Sequence, residues 1–170
     1  MLSSKLFVIA LIIIFAVAGL LAFVGAAPSP EWDIQTVDSE GVVGSYSSMA
    51  LDSSGNPHIS YLDNTNEALK YARWTGSTWE IQTVDTKGDV YGYSSMALDS
   101  SGNPHISYRI YIKSVLVDLI TGKPSWEEGN LKYARWTGSS WAIQTVDSEE
   151  YVDLGLYMSM VLDFSGNPHI

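Results

Sequence analysis

Three kinds of side chain recur along this chain at spacings that could serve chemistry: carboxylates, histidines and arginine–tryptophan pairs. The acids fall in two series, Asp38, Asp85 and Asp147, and Asp52, Asp99 and Asp163. Hydrolysis of a glycoside needs two carboxylates facing one substrate across a cleft. Repetition with a fixed period is what a structural role predicts, whereas a catalytic centre breaks the symmetry of a repeat. No catalytic residue is therefore assigned. The histidines His58, His105 and His169 each follow a proline. Facing a common channel they could hold a metal; hydrogen-bonded at a strand start they need none, and no metal site is assigned. The chain has no nucleophile motif, no paired-histidine motif and no phosphate-cradling glycine loop, so no cofactor is implied. Arg73 with Trp74, and Arg135 with Trp136, put a guanidinium and an indole near one strand edge, a combination that can hold a sugar. Adjacent strand residues point to opposite faces, so each pair needs a neighbouring unit to complete one pocket. These four are the candidate ligand-binding residues.

The elements that must position them follow from an internal repeat. Residues 32 to 61 align without a gap on 79 to 108, an offset of 47, with 24 of 30 positions identical. LKYARWTGS occurs at Leu69 to Ser77 and again at Leu131 to Ser139, and a third copy of the first block runs from Tyr157 to Ile170. Each unit divides into four short runs: SSMAL from Ser47, HISY from His58, LKYARW from Leu69 and WEIQTV from Trp79. Aromatic and β-branched residues favour strand, and Gly-Asn-Pro and Thr-Gly-Ser interruptions keep the runs too short for helices. Polar residues on Arg73's face of the third run and in the fourth run predict that these two strands are half-exposed. Trp32 to Val37 reads as an outer strand of a preceding unit, and Trp32, Trp79 and Trp141 as packing residues between neighbours.

A loop closes the first hairpin of each unit. The Asp52 carboxylate can accept hydrogen bonds from the amides that follow it, Gly55 can take a positive φ, and Pro57 fixes the approach to the next strand. Asp99, Gly102 and Pro104 repeat the arrangement, as do Asp163, Gly166 and Pro168. One carboxylate per loop is too few for a calcium site. The second unit is 15 residues longer between Tyr108 and Leu131 than the first between Tyr61 and Leu69. That insertion, at about 109–130, is an extended hairpin or a loop lying over an adjacent surface, and its apolar run from Ile110 to Ile120 needs a partner.

The N-terminus has a different character. Lys5 precedes an uncharged apolar run from Leu6 to Ala27 that ends in small residues, the form of a secretory signal and long enough to span a bilayer as a helix. Residues 1–27 are expected to be a signal peptide or an N-terminal transmembrane helix. Either outcome puts the remainder outside the cytoplasm, secreted or at the cell surface. The chain has no cysteine, so no disulfide staples the exported part. Nineteen acidic against nine basic residues, a formal charge of −10, disfavour nucleic acid and anionic lipid as partners.

The blocks LDSSGNPHISY, LKYARWTGSxW and IQTVD resemble the tandem β-propeller repeats of secreted and surface proteins of bacteria and archaea. They are similar, more loosely, to the Asp-box repeat of sialidase-like propellers. The spacing departs from that box: Gly55 stands three residues after Asp52, and Ile59 takes the hydrophobic position. In sialidases catalysis belongs to an arginine triad, a tyrosine and its acidic partner. This chain has only Arg73, Arg109 and Arg135, and the first and last occupy the same repeat position, so none of those roles is carried over. Some propeller lectins hold sugars between blades, which the resemblance extends to the Arg–Trp pairs.

The expected fold is all-β: an incomplete β-propeller of four-stranded blades with a 47-residue repeat, preceded by an apolar N-terminal helix. Residues 28–46 would be the outer strand of a preceding blade and a linker, 47–85 the first full blade, 86–147 the second with its insertion, and 148–170 a truncated third. About two and a half blades are fewer than the four or more that close a propeller, so the chain reads as a fragment of a longer one. Its open sheet edges invite self-association as the other way to cover them. The expected function is an extracellular binding or interaction module for a carbohydrate or protein ligand, more a binder than an enzyme. The alternative is a fragment of a glycoside-acting, sialidase-like enzyme whose catalytic residues lie elsewhere.

Overall fold

The structure, a computed structural model, describes residues 31–87, 89–113, 127–148 and 157–170. The chain divides into Met1–Gln35 and Thr36–Ile170. Of the first unit, the described residues 31–35 form neither helix nor strand. The second unit is built of antiparallel sheets. Strands β1 (Val43–Leu51), β2 (Pro57–Asp63), β3 (Ala68–Trp74) and β4 (Trp79–Asp85) form one four-stranded sheet in chain order. Strands β5 (Asp89–Leu98), β6 (Pro104–Lys113), β7 (Glu127–Trp136) and β8 (Trp141–Asp147) form a second with the same order. A short pair, β9 (Val161–Leu162) and β10 (Pro168–His169), begins a third.

The two large sheets are copies in register as well as in order. His58 lies opposite Arg73 as His105 lies opposite Arg135, and Trp74 opposite Trp79 as Trp136 opposite Trp141. Even the irregularity between β3 and β4, at Leu69/Lys70, recurs between β7 and β8 at Leu131/Lys132. The strands run beyond the four short sequence blocks. β1 begins at Val43 because the ladder continues past the block to Val43↔Asp63, crossing two register shifts on the way. In the second unit the β6–β7 ladder extends through Tyr111↔Gly129 to Lys113↔Glu127, so the base of the insertion is a lengthened hairpin.

Two expectations need correction. Residues 32–37, read as an outer strand, join no ladder; Trp32 and Ile34 are about nine-tenths exposed, and a strand needs a paired neighbour to exist. The transmembrane helix expected of the first residues is also not supported: no helix among the described residues is long and apolar enough to cross a membrane. The described residues fold as strands and turns throughout, cut short by their turn chemistry, and the run from Leu6 to Ala27 lies outside them.

The core lies between the two large sheets. Leu62, Leu69, Tyr71 and Val84 of the first pack with Val90, Met96, Ile106, Tyr108, Ile110 and Ala134 of the second. Each fully buried aliphatic chain of this set contributes about 1.5–3 kcal/mol relative to exposure. Strand β4 is half-exposed as its alternation predicts, whereas β3 is mostly buried, like β2, because both of their faces are covered. On one face lies the second sheet. On the other, Tyr61 and Lys70 reach Asp38 of the preceding segment.

That contact repeats one unit later. Asp38 accepts hydrogen bonds from Tyr61 Oη at 2.7 Å and Lys70 Nζ at 2.9 Å; Asp85 accepts them from Tyr108 Oη at 2.6 Å and Lys132 Nζ at 3.3 Å. The first strands repeat a step of their own: the Met96 amide donates to Ser48 Oγ at 3.1 Å, and the Met160 amide to Ser95 Oγ at 3.0 Å. Beside them the rings of Tyr46, Tyr93 and Tyr157 form a ladder, with centroids 4.8 and 5.0 Å apart. Sheet follows sheet by one recurring relation.

Candidate functional site

The loops between the first and second strands of each unit share one set of hydrogen bonds. Asp52 Oδ1 accepts from the Ser54 and Asn56 amides at 2.8 and 2.9 Å, and Oδ2 from Asn56 Nδ2 at 3.0 Å. Gly55, at φ 82°, turns the chain so that its amide reaches the Asp52 carbonyl at 3.0 Å. A side chain there would meet no atom but would be strained by the left-handed backbone. Asp99 and Asp163 head identical loops. Side-chain and backbone hydrogen bonds from Asn56 hold the Asp52 carboxyl below its ordinary range. Those from Asn167 hold the exposed Asp163 carboxyl at about 2.

Behind each loop stands its histidine. His58 is buried, with Nε2 3.8 Å from Asp52 Oδ2 and Nδ1 2.6 Å from Tyr71 Oη. Burial lowers its pKa, against the opposing pull of Asp52, and so favours the neutral ring. His105 repeats the arrangement with Asp99 and Tyr133, and its pKa is lowered by burial in the same way. The exposed His169 lies 3.5 Å from Asp163. These histidines serve the loops. Among the described residues no group of three or more His, Cys, Asp or Glu could hold a metal ion.

Two grooves open where the end of the third strand of one sheet meets the loop of the next. The first, about 620 Å³, is lined by His58, Arg73, Trp74 and the Asp52 loop on one side and by Leu98 and the Asp99 loop on the other. The second, about 760 Å³, is lined by His105, Arg135, Trp136 and the Asp99 loop, and across from them by Leu162 and the Asp163 loop. Arg73 and Trp74 thus line one groove despite pointing to opposite faces of β3. Both side chains line it at the end of the strand, and the following sheet supplies the far wall. Arg135 and Trp136 are brought together in the same way.

Each indole is braced. Trp74 packs on Trp79 with ring centroids 5.5 Å apart, and Trp136 on Trp141 at 5.4 Å. Trp141 also packs edge-on against Tyr71 and donates its Nε1–H to Gln82 Oε1 of the first sheet at 3.1 Å. Trp141 is therefore a contact between sheets, whereas Trp32 is exposed. The Arg73 guanidinium is held by Glu80, from Nε at 2.8 Å and from the terminal nitrogen at 2.7 Å, both to the same carboxylate oxygen.

Sequence reasoning missed Glu80 as a partner of Arg73, because the two meet only through the β3–β4 register Arg73↔Glu80. It also missed the loop of the next sheet as a groove wall. The signal for that wall was the alternation along the strand, which required a neighbouring unit to complete the pocket without saying which of its segments would do so. Arg109, set apart from the Arg–Trp pairs, is buried, with its guanidinium 4.2 Å over the Tyr111 ring.

No family model matches the sequence. No curated protein matches it either. Among solved structures, a fucose lectin from Kordia zhangzhouensis in complex with methyl-fucoside is similar over 72% of this chain and 78% of that one, with 19% identity and a TM-score of 0.39.

Proposed function

We propose that this chain is an exported binding module, that its sheets are blades of a β-propeller, and that it takes saccharide ligands in the grooves between blades. The blades would be residues 47–85, residues 86–147 with the insertion, and residues 148–170. Residues 28–46 would lead into the first blade, and residues 1–27 would act as the export signal. The observation that carries the binding reading is the pair of equivalent grooves, each presenting a guanidinium and a braced indole beside a rigid loop. An indole face stacks on the C–H face of a pyranose while a guanidinium donates to its hydroxyls, the small set of placed polar groups that ligand sites use. The blade reading draws on the recurring relation between sheets, in which the amides of Met96 in β5 and of Met160, just before β9, donate to a serine hydroxyl of the preceding sheet's first strand.

A glycan array tests the binding reading. The wild-type protein is expected to bind at least one class of glycan, and R73A combined with R135A to lose that signal while its urea midpoint stays within error. Undiminished binding by the double variant would place the ligand elsewhere.

A further inference from the structure

The two grooves share their architecture but differ by one charge, and we infer that the second prefers carboxylate-bearing saccharides while the first prefers neutral ones. The inference rests on the binding reading above. In the first groove the guanidinium of Arg73 is neutralised by Glu80, one oxygen of which receives both of its contacts, so the charge that Arg73 presents to the groove is already paired. In the second groove the residue directly opposite Arg135 is Ala142, and Arg135 makes no ion pair among the described residues. Its exposed guanidinium keeps its full fork of donors, the geometry that receives a carboxylate through two parallel hydrogen bonds.

The other charges nearby do not separate the grooves. Asp52 and Asp99 line the first, Asp99 and Asp163 the second, so each contains two loop carboxylates. Each of the three is already engaged by two backbone amides and an asparagine side chain. Each groove also has one buried histidine, His58 or His105, whose pKa is lowered by burial. What remains is Glu80 against Ala142, together with one apolar change: Phe164 stands in the second groove where Ser100 stands in the first. A carboxylated ligand in the second groove meets an uncompensated cation; in the first it meets a cation already paired, beside a carboxylate that repels it.

The test compares methyl β-D-glucoside with methyl β-D-glucuronide, which differ only in a hydroxymethyl or carboxylate at C6. Titrations followed through the indole N–H signals of Trp74 and Trp136 report each groove separately. The glucuronide-to-glucoside affinity ratio is expected to be roughly tenfold higher in the second groove than in the first, about 1.4 kcal/mol. A142E should bring the second groove to the ratio of the first, and E80A, which changes a half-exposed side chain, should bring the first to that of the second. Equal ratios in the two wild-type grooves, or ratios unmoved by both substitutions, would overturn the inference while leaving saccharide binding intact. Shifts from neither glycoside in either groove would overturn this inference, whereas the binding reading itself stands or falls on the glycan array.

Discussion

Replacing Asp85 by alanine tests whether successive sheets are locked by a buried ion pair. Asp85 is 5% exposed and receives Tyr108 Oη at 2.6 Å, Lys132 Nζ at 3.3 Å and the Lys87 amide at 2.9 Å. D85A would leave the buried Tyr108 hydroxyl and the largely covered Lys132 ammonium without that partner. Breaking a buried charged pair costs about 3–5 kcal/mol, because the remaining charge has lost its solvation and gained nothing. D85N keeps an oxygen for Tyr108 but loses the charge facing Lys132, so about half that loss is expected. The assay is urea unfolding, with the midpoint compared at constant m-value. E80A is the control: the Arg73–Glu80 pair is about half exposed on both sides, and its removal should change stability by less than about 1 kcal/mol. If D85A costs no more than E80A, the lock between sheets is not what joins them.

Further predictions follow from the same contacts. Burial opposes ionisation of Asp38, but hydrogen bonds from the Glu40 amide, Lys70 and Tyr61, and the Lys70 charge, outweigh it and hold the carboxyl at about 2. A folded pKa below the unfolded one means that this stability is present above about pH 4 and is lost as pH falls toward 2, and urea midpoints of wild type and D38N should converge over that window. Gly129→Ala would place a Cβ 2.6 Å from Arg109 Nε and 2.9 Å from its Cζ, inside a buried contact, and should cost about 1–3 kcal/mol in the same assay. Y71F removes the hydroxyl 2.6 Å from His58 Nδ1 and leaves a buried ring nitrogen unpartnered, so thermal unfolding should show a loss of about 1–2 kcal/mol.

Strand identity was legible because each run is bounded by its own turn chemistry. The Asp52 loop is local, closed by bonds to Ser54 and Asn56, and local bonds can be read from neighbouring residues. The strand ends were less legible. β1 gains its first residues from pairing with Leu62 and Asp63, while 32–37, with equally good strand composition, joins no ladder. Composition states a preference, and pairing decides it. The Arg–Trp pairs and their need of a neighbouring unit could be named from the repeat, but not that the Asp-headed loop of the next sheet would be the far wall. The replacement of Glu80 by Ala142 stands plainly in WEIQTV against WAIQTV, yet it acquires meaning only once β3 and β4 place Glu80 opposite Arg73. The Asp38 and Asp85 locks were legible as structural acids by their repetition, though not in their tyrosine and lysine partners.

The central claim is that ligands enter the grooves between sheets. It is tested most directly by mapping chemical shifts on the protein while titrating the strongest glycan found on the array. The account predicts that the largest changes fall on the Trp74 and Trp136 indoles and the Arg73 and Arg135 side chains. Changes centred instead on the Tyr46, Tyr93 and Tyr157 ladder, with the groove signals unmoved, would contradict it.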